Sequence, residues 1–239
     1  MENPIKIGEI FWTKKDLLNS LDEFMEFYKK RPLKTNRGGM GSPHCFATYF
    51  MMKYLNKPFI IESGVWKGQS TWLIENICPE SKLLCIDPNL HYRQFISKKA
   101  EYTKIDWKYL NIKNPENILC FFDDHQNAFE RVKLAVKRGY KHLIFEDNYP
   151  IGQGDCLSLK QILEGGNSNM FNFLKEHNDI YHEFPPVFKR DKTRWEDNWD
   201  DEKYPTEEPL FSQLENNEKY KLFYDDAKGY TWIAYVKLK

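Results

Sequence analysis

Apolar residues recur along this chain with two different periods, and the change between them sets out its architecture. Between residues 13 and 28 the spacing is helical, with Leu17, Leu18, Leu21, Phe24, Met25 and Tyr28 on one face. Thr13 stands ahead of that segment as a cap, and Asp16 follows three residues on in the arrangement of a capping box. Pro32 and the Gly38-Gly39-Met40-Gly41 cluster break the pattern. Ser42-Pro43 restarts it as a cap followed by proline at the first helical position, and Phe46, Tyr49, Phe50 and Leu55 carry the helix to residue 56.

Beyond this point short apolar runs alternate with helical ones. Strands are expected over 59–62, 82–87, 118–123 and 142–145, with a short further strand over 107–110. Helices are expected over 68–77, 92–101 and 128–138, the last stopped by Gly139. Strands joined by helices predict a parallel sheet covered on both faces. Helical pieces follow over 157–163 and 170–176, then an irregular, aromatic stretch containing Pro185-Pro186, Trp195 and Trp199. A loop of that length is expected to be a lid or binding loop, or an insertion that touches nothing. The tail reads as a hairpin, 220–224 and 230–235 around Asp225 to Gly229. The expected fold is therefore α/β: one domain with a doubly wound, mostly parallel sheet. Residues 1–56 form an N-terminal helical extension, 57–183 the core, 184–210 the lid and 211–239 a C-terminal antiparallel hairpin.

The residues at the strand ends turn fold into chemistry. Glu62, Asp87, Asp123-Asp124-His125 and Glu146-Asp147-Asn148 all stand at expected carboxyl ends. In an open parallel sheet the ligand crevice lies outside those ends, so these groups should converge. The first strand runs into Glu62-Ser63-Gly64-Val65-Trp66-Lys67-Gly68-Gln69-Ser70-Thr71, a tight turn leading to a helix start. Its glycines let a ligand approach bare backbone. The spacing is not G-x-G-x-x-G, and Gln69 after Gly68 denies a phosphate loop its lysine. A nicotinamide enzyme is disfavoured on the same ground. The Glu62 carboxylate argues further against a phosphate and suits a cationic or hydroxyl-rich ligand.

Asp87 occupies the position where an acid accepts ribose hydroxyls in dinucleotide folds, the alternative being a turn-opening Asp before Pro88. Carboxylates at neighbouring strand ends repel unless protonated, paired with a cation or bound to metal. An oxygen-rich, cysteine-free set favours magnesium, with calcium or manganese as alternatives, and argues against an iron-dependent hydroxylase. The bland alternative is a group of solvated carboxylates capping turns. His125, beside these acids, is a candidate proton acceptor.

Composition narrows the partners. Lysine plus arginine and aspartate plus glutamate number 35 each, so a general electrostatic nucleic-acid or membrane partner is disfavoured. No apolar run approaches the ~20 residues of a membrane span. Five cysteines without a C-x-x-C suggest reduced thiols and a cytoplasmic setting. The aromatic share of 16% is split between core and pocket walls in a way that composition leaves open.

The E-x-G-x-x-x-G turn resembles the first motif of Rossmann-like (class I) methyltransferases that bind S-adenosylmethionine. The run Phe121-Phe122-Asp123-Asp124-His125-Gln126, then Phe145-Glu146-Asp147-Asn148-Tyr149-Pro150, Gly154-Asp155 and Ser158-Leu159-Lys160, makes the resemblance more specific. With Asn36-Arg37-Gly38-Gly39-Met40 and His44, it is similar to sugar and small-molecule O-methyltransferases of bacterial and large-virus glycan clusters. More distantly it resembles macrocin O-methyltransferase, the cephalosporin hydroxylase family and catechol O-methyltransferase. The resemblance implies that Glu62, Gly64, Gly68 and Ser70 hold the methionine part of the cofactor and Asp87 its ribose, with Thr71, Gly39 and Met40 also binding the cofactor. It implies a magnesium site drawn from Asp123, Asp124, Glu146 and Asp147, with His125 as base and Asp124 beside it in catalysis. The distant relatives place the metal-binding aspartate three residues before the base. Here that position is Phe122, so the role falls to Asp123 or Asp124. The implied activity is O-methylation of a hydroxyl on a sugar, glycan or glycosylated small molecule. The rivals are a metal-dependent hydroxylase on the same scaffold and a non-catalytic S-adenosylmethionine-binding module. Nothing in the sequence fixes an oligomeric state.

Overall fold

A computed structural model describes residues 5–165, 167–187, 205–211, 218–221 and 232–239. Two helices lead, α1 (Lys14–Tyr28) and α2 (Ser42–Leu55), followed by β1 (Phe59–Ser63), α3 (Gln69–Ile77) and β2 (Lys82–Ile86). Then come β3 (Glu101–Thr103), β4 (Ile118–Phe122), α4 (Ala128–Arg138) and β5 (His142–Phe145). The described chain closes with α5 (Leu159–Gly165), α6 (Ser168–His177), β6 (Asn178–Glu183) and β7 (Ala234–Leu238).

The seven strands form one sheet in the order β3-β2-β1-β4-β5-β7-β6. β1 to β5 pair in parallel, and β7 runs antiparallel to both β5 and β6. Order reverses between β1 and β4, which makes their carboxyl ends the switch point where ligands bind in open sheets. Alternation along each strand divides the core in two. Ile60, Leu119, Phe121, Ile144 and Tyr235 pack with α1, α2 and α3. Ile61, Cys120, Phe122, Leu143 and Val236 pack with α4, α5 and α6 on the other face.

Local chemistry explains most boundaries. Thr13 and Asp16 close a reciprocal capping box at the start of α1. Gly139 ends α4 in the left-handed region. The helix expected over 92–101 does not form. In its place a 3-10 turn, Leu90–Tyr92, leads to β3. Ser97 Oγ accepts from the N–H groups of Lys99 and Ala100, and those of Gln94 and Phe95 both turn to the Lys67 carbonyl. The backbone donors a helix needs are thereby diverted. The strand expected over 107–110 is likewise a turn, Trp107–Tyr109, because Asp106 captures the Lys108 N–H at 2.7 Å.

At the C-terminal end the antiparallel partner of β7 is β6, a strand the sequence pattern did not reveal. Of the expected first hairpin arm, Tyr220 sits in the turn Glu218–Tyr220, while 222–231 lie outside the described residues. So do 188–204, most of the expected lid. The flanks of that segment meet: Leu210 N–H donates to the Pro186 carbonyl at 2.9 Å and Phe211 N–H to that of Val187 at 3.0 Å. No helix among the described residues is long and apolar enough to cross a membrane.

Candidate active site

Strand register brings the rim residues together. Ser63 pairs with Ile86 and with Phe122, and Phe122 pairs with Phe145. The next residue on each strand, Gly64, Asp87, Asp123 and Glu146, therefore falls in one row, about 4.8 Å from strand to strand. Backbone bonding continues into the row, from Gly64 to Ile86, Asp123 to Ser63 and Glu146 to Phe122. A cleft of about 420 Å³ opens over it, lined by Gly38 and Gly39, the Ser63–Gly64 turn, Trp66, Asp87, Asn89, Tyr92, Lys104, Asp106 and Asp123 to Gln126.

Gly64 is required here. Its φ is +98°, and an added Cβ would land on the Asp123 carbonyl oxygen. Gly68, also at positive φ, starts α3, and a Cβ there would meet the Phe95 carbonyl oxygen at 2.5 Å. Between them Val65 and Trp66 donate their N–H groups to Asp87 Oδ2 at 2.9 and 2.8 Å, and Asn89 donates to Oδ1 at 2.6 Å. Asp87 both shapes the glycine turn and lines the cleft. Glu62 lies on the other face of β1, fully buried, and does not line the cleft. Its Oε2 accepts from Thr71 Oγ1 at 2.6 Å and from the Cys85 thiol at 3.0 Å, and Ser70 bonds to the same carboxyl. Oε1 has no partner among the described residues, and burial raises the Glu62 pKa. Met40, Gly68, Ser70 and Thr71 are buried around this turn rather than exposed in the cleft.

The acids after β4 and β5 divide into two sets. Asp124 accepts from Ser63 Oγ at 2.6 Å and pairs with Arg131 at 2.7 Å. Asp123, His125 and Asp147 each offer a ligand atom, all within 4.8 Å of one another. Glu146, next to Asp147, meets His44 of α2 through its Oε1 and the ring Nδ1. Burial, then the charges of Glu146 and Asp147, push Asp123 well above the ordinary carboxyl range. Burial, then Glu146, hold Asp147 at about 7. A cluster in which Asp123 and Asp147 are both raised by burial and neighbouring negative charge suits a hard divalent cation.

His125 holds a left-handed backbone, φ 51°, which a non-glycine residue adopts only when its surroundings impose it. Its N–H donates to Asp147 Oδ2 at 3.1 Å, and its ring Nδ1 lies 2.9 Å from Asp155 Oδ1. Burial disfavours the charged imidazolium, but Asp147 and Asp155 outweigh it and raise the pKa. Asp147 is fixed in turn by Tyr149, whose hydroxyl donates at 2.6 Å. Asn148 points elsewhere, bonding the Tyr181 hydroxyl and the Lys160 backbone N–H.

Of the residues expected at the site, Gly39, Gly64, Asp87, Asp123, Asp124 and His125 line the cleft, and Asp147 adjoins it through His125. Trp66, Lys104, Asp106, Arg131 and the pairing of His44 with Glu146 were not foreseen. Only Arg131 leaves a signal, as a charged residue inside the i, i+3, i+4, i+7 stripe of Ala128, Val132 and Ala135.

No family model and no curated protein matches the sequence. Solved structures do. The O-methyltransferase TomG from Streptomyces achromogenes is 11% identical, with a TM-score of 0.52 over 98% of this chain and 92% of that one. A Klebsiella pneumoniae protein provisionally described as an O-methyltransferase is 10% identical, with a TM-score of 0.52 over 93% and 90%. The apo structure of CmcI-N160 is 16% identical at a TM-score of 0.40, and the chain spans 58% of its length. At these identities the likeness concerns architecture. Across nearly its whole length the chain shares the Rossmann-like fold of the Streptomyces and Klebsiella proteins.

Proposed function

We propose that the protein is an S-adenosylmethionine-dependent O-methyltransferase acting on a hydroxyl of a sugar, glycan or glycosylated small molecule. The observation that carries this reading is the cleft at the switch point, with Asp87 on one strand end and Asp123, His125 and Asp147 gathered on the others. The glycine turn and the Asp87 carboxylate suit a cationic, ribose-bearing ligand, and the Streptomyces neighbour is itself in complex with SAM. Bound there, S-adenosylmethionine supplies a methyl carbon already made electrophilic by its sulfonium. A divalent cation would be held by Asp123 and Asp147, with Glu146, paired to His44, adding negative charge beside them, and would supply positive charge that favours the deprotonated acceptor.

The chain's own residues do the rest. The Gly64–Gly68 turn, closed by Asp87, presents backbone to the cofactor, with Gly39 on the facing wall. Glu62, behind that turn, fixes Thr71 and hence the start of α3. His125 takes the acceptor proton; Asp155 and the backbone contact with Asp147 hold its ring and main chain in place. Alignment of the acceptor oxygen behind the methyl group lets the site contribute through positioning as well as proton removal.

Isothermal titration should show S-adenosylmethionine binding, and a labelled-methyl screen across sugars should find the acceptor. His125→Ala should bind the cofactor within about threefold of wild type and lose at least about a hundredfold in turnover. Retained turnover in His125→Ala would sink the assignment of the base. Failure to bind S-adenosylmethionine would sink the functional reading altogether.

A further inference from the structure

Resting on the cation reading above, we infer that Arg131 decides which of the two adjacent acids at the end of β4 is open to metal. By pairing with Asp124 it withdraws that carboxylate and leaves Asp123 as the ligand. The Arg131 side chain is 6% exposed and reaches the cleft from α4. Nη1 and Nη2 grip Asp106 at 2.8 and 2.9 Å in a fork, and Nη2 also reaches Asp124 Oδ2 at 2.7 Å. The guanidinium lies 5.6 Å from the centroid of the Trp107 ring and 5.5 Å from that of Phe122, so aromatic faces hold it in this orientation.

Both oxygens of Asp124 are engaged, Oδ2 by two short bonds and Oδ1 by a longer one. Oδ2 accepts from Arg131 and Ser63, and Oδ1 accepts from the Gln126 N–H at 3.3 Å. A carboxylate already compensated by a buried guanidinium gains little from a metal ion, and taking it away would strand the arginine. Asp123, one residue earlier, faces Asp147 and His125, and among the described residues the charges that act on it most are carboxylates. Arg131 is thus a positioning residue. It acts on the metal site through Asp124, and Asp106 beside it holds the guanidinium in place.

The test follows Mn²⁺ binding by electron paramagnetic resonance in the full-length protein, alongside S-adenosylmethionine titration. Wild type is expected to bind one ion. Asp124→Asn should keep that affinity within about threefold, whereas Asp123→Asn should lose at least about tenfold. Arg131→Gln should free Asp124, giving a second ion or tighter binding by about threefold or more, and Arg131→Gln/Asp124→Asn should revert to wild-type behaviour. A merely structural arginine would not produce that reversal. A tenfold loss in Asp124→Asn, or unchanged Mn²⁺ binding in a folded Arg131→Gln, overturns the inference while leaving the methyltransferase reading intact. If Arg131→Gln does not fold, Asp124→Asn against Asp123→Asn decides alone. Wild type that binds S-adenosylmethionine but no Mn²⁺ overturns the cation reading and this inference with it.

Discussion

Burial, then the charges of Glu146 and Asp147, make Asp123 at one corner of the cleft harder to ionise, and burial, then Glu146, do the same to Asp147. A carboxyl whose folded-state pKa is raised favours the fold below its unfolded pKa and loses that contribution as pH rises through the folded value. Above pH 7 this corner therefore strains the protein unless a cation relieves it. Asp123→Asn should raise the thermal midpoint at pH 8 without divalent ions by a few degrees, about 2–8 °C, and should abolish the rise that MgCl₂ gives wild type. Differential scanning fluorimetry reads both, and a lower midpoint in the ion-free variant would contradict the account. The acids themselves were legible in the sequence, because each ends a strand. The division of labour among them was not. Arg131, seven residues beyond Asp124, and His44, 102 residues before Glu146, act through contacts that only the folded chain makes.

The elements read most clearly were those whose pattern and punctuation agree. α1 has its apolar stripe and its Thr13–Asp16 box, and β2, β4 and β5 run straight into acids where the sheet ends, whereas the acid of β1, Glu62, lies within its strand. Thr13→Ala should cost about 1 kcal/mol of stability, seen as a small drop in urea midpoint, with S-adenosylmethionine affinity unchanged. A loss of cofactor binding in that variant would mean that α1 reaches the cleft. β3 and β6 escaped notice for physical reasons. Three residues are too few to show a period, and Ser97 takes over the backbone donors before β3. In β6 the sequence Asn178-Asp179-Ile180-Tyr181-His182-Glu183 hides its character, because polar groups are buried on both faces: Glu183 against Lys160 and His182 beside Trp12.

Across the whole molecule, burial of polar groups ties stability to pH away from the cleft as well. Burial, the first cause in each case, lowers the pKa of His142 and of His182 to about 4. Both must stay neutral in the fold, while in the unfolded chain they take protons near pH 6.5. Their contribution is present above pH 6.5 and is lost as pH falls toward 4. His182→Leu should therefore gain on wild type progressively as pH drops through that window, measured as the difference in urea midpoint; a constant difference would argue against a neutral buried His182. The sheet order carries a consequence for how the chain is made. β7 lies between β5 and β6 and bonds to both, although some fifty residues separate it from β6. Until residues 234–238 leave the ribosome, β5 and β6 each present an open edge, even where the parallel strands have already paired. Synthesis stalled just short of that point would yield two sticky strands rather than a nearly finished fold.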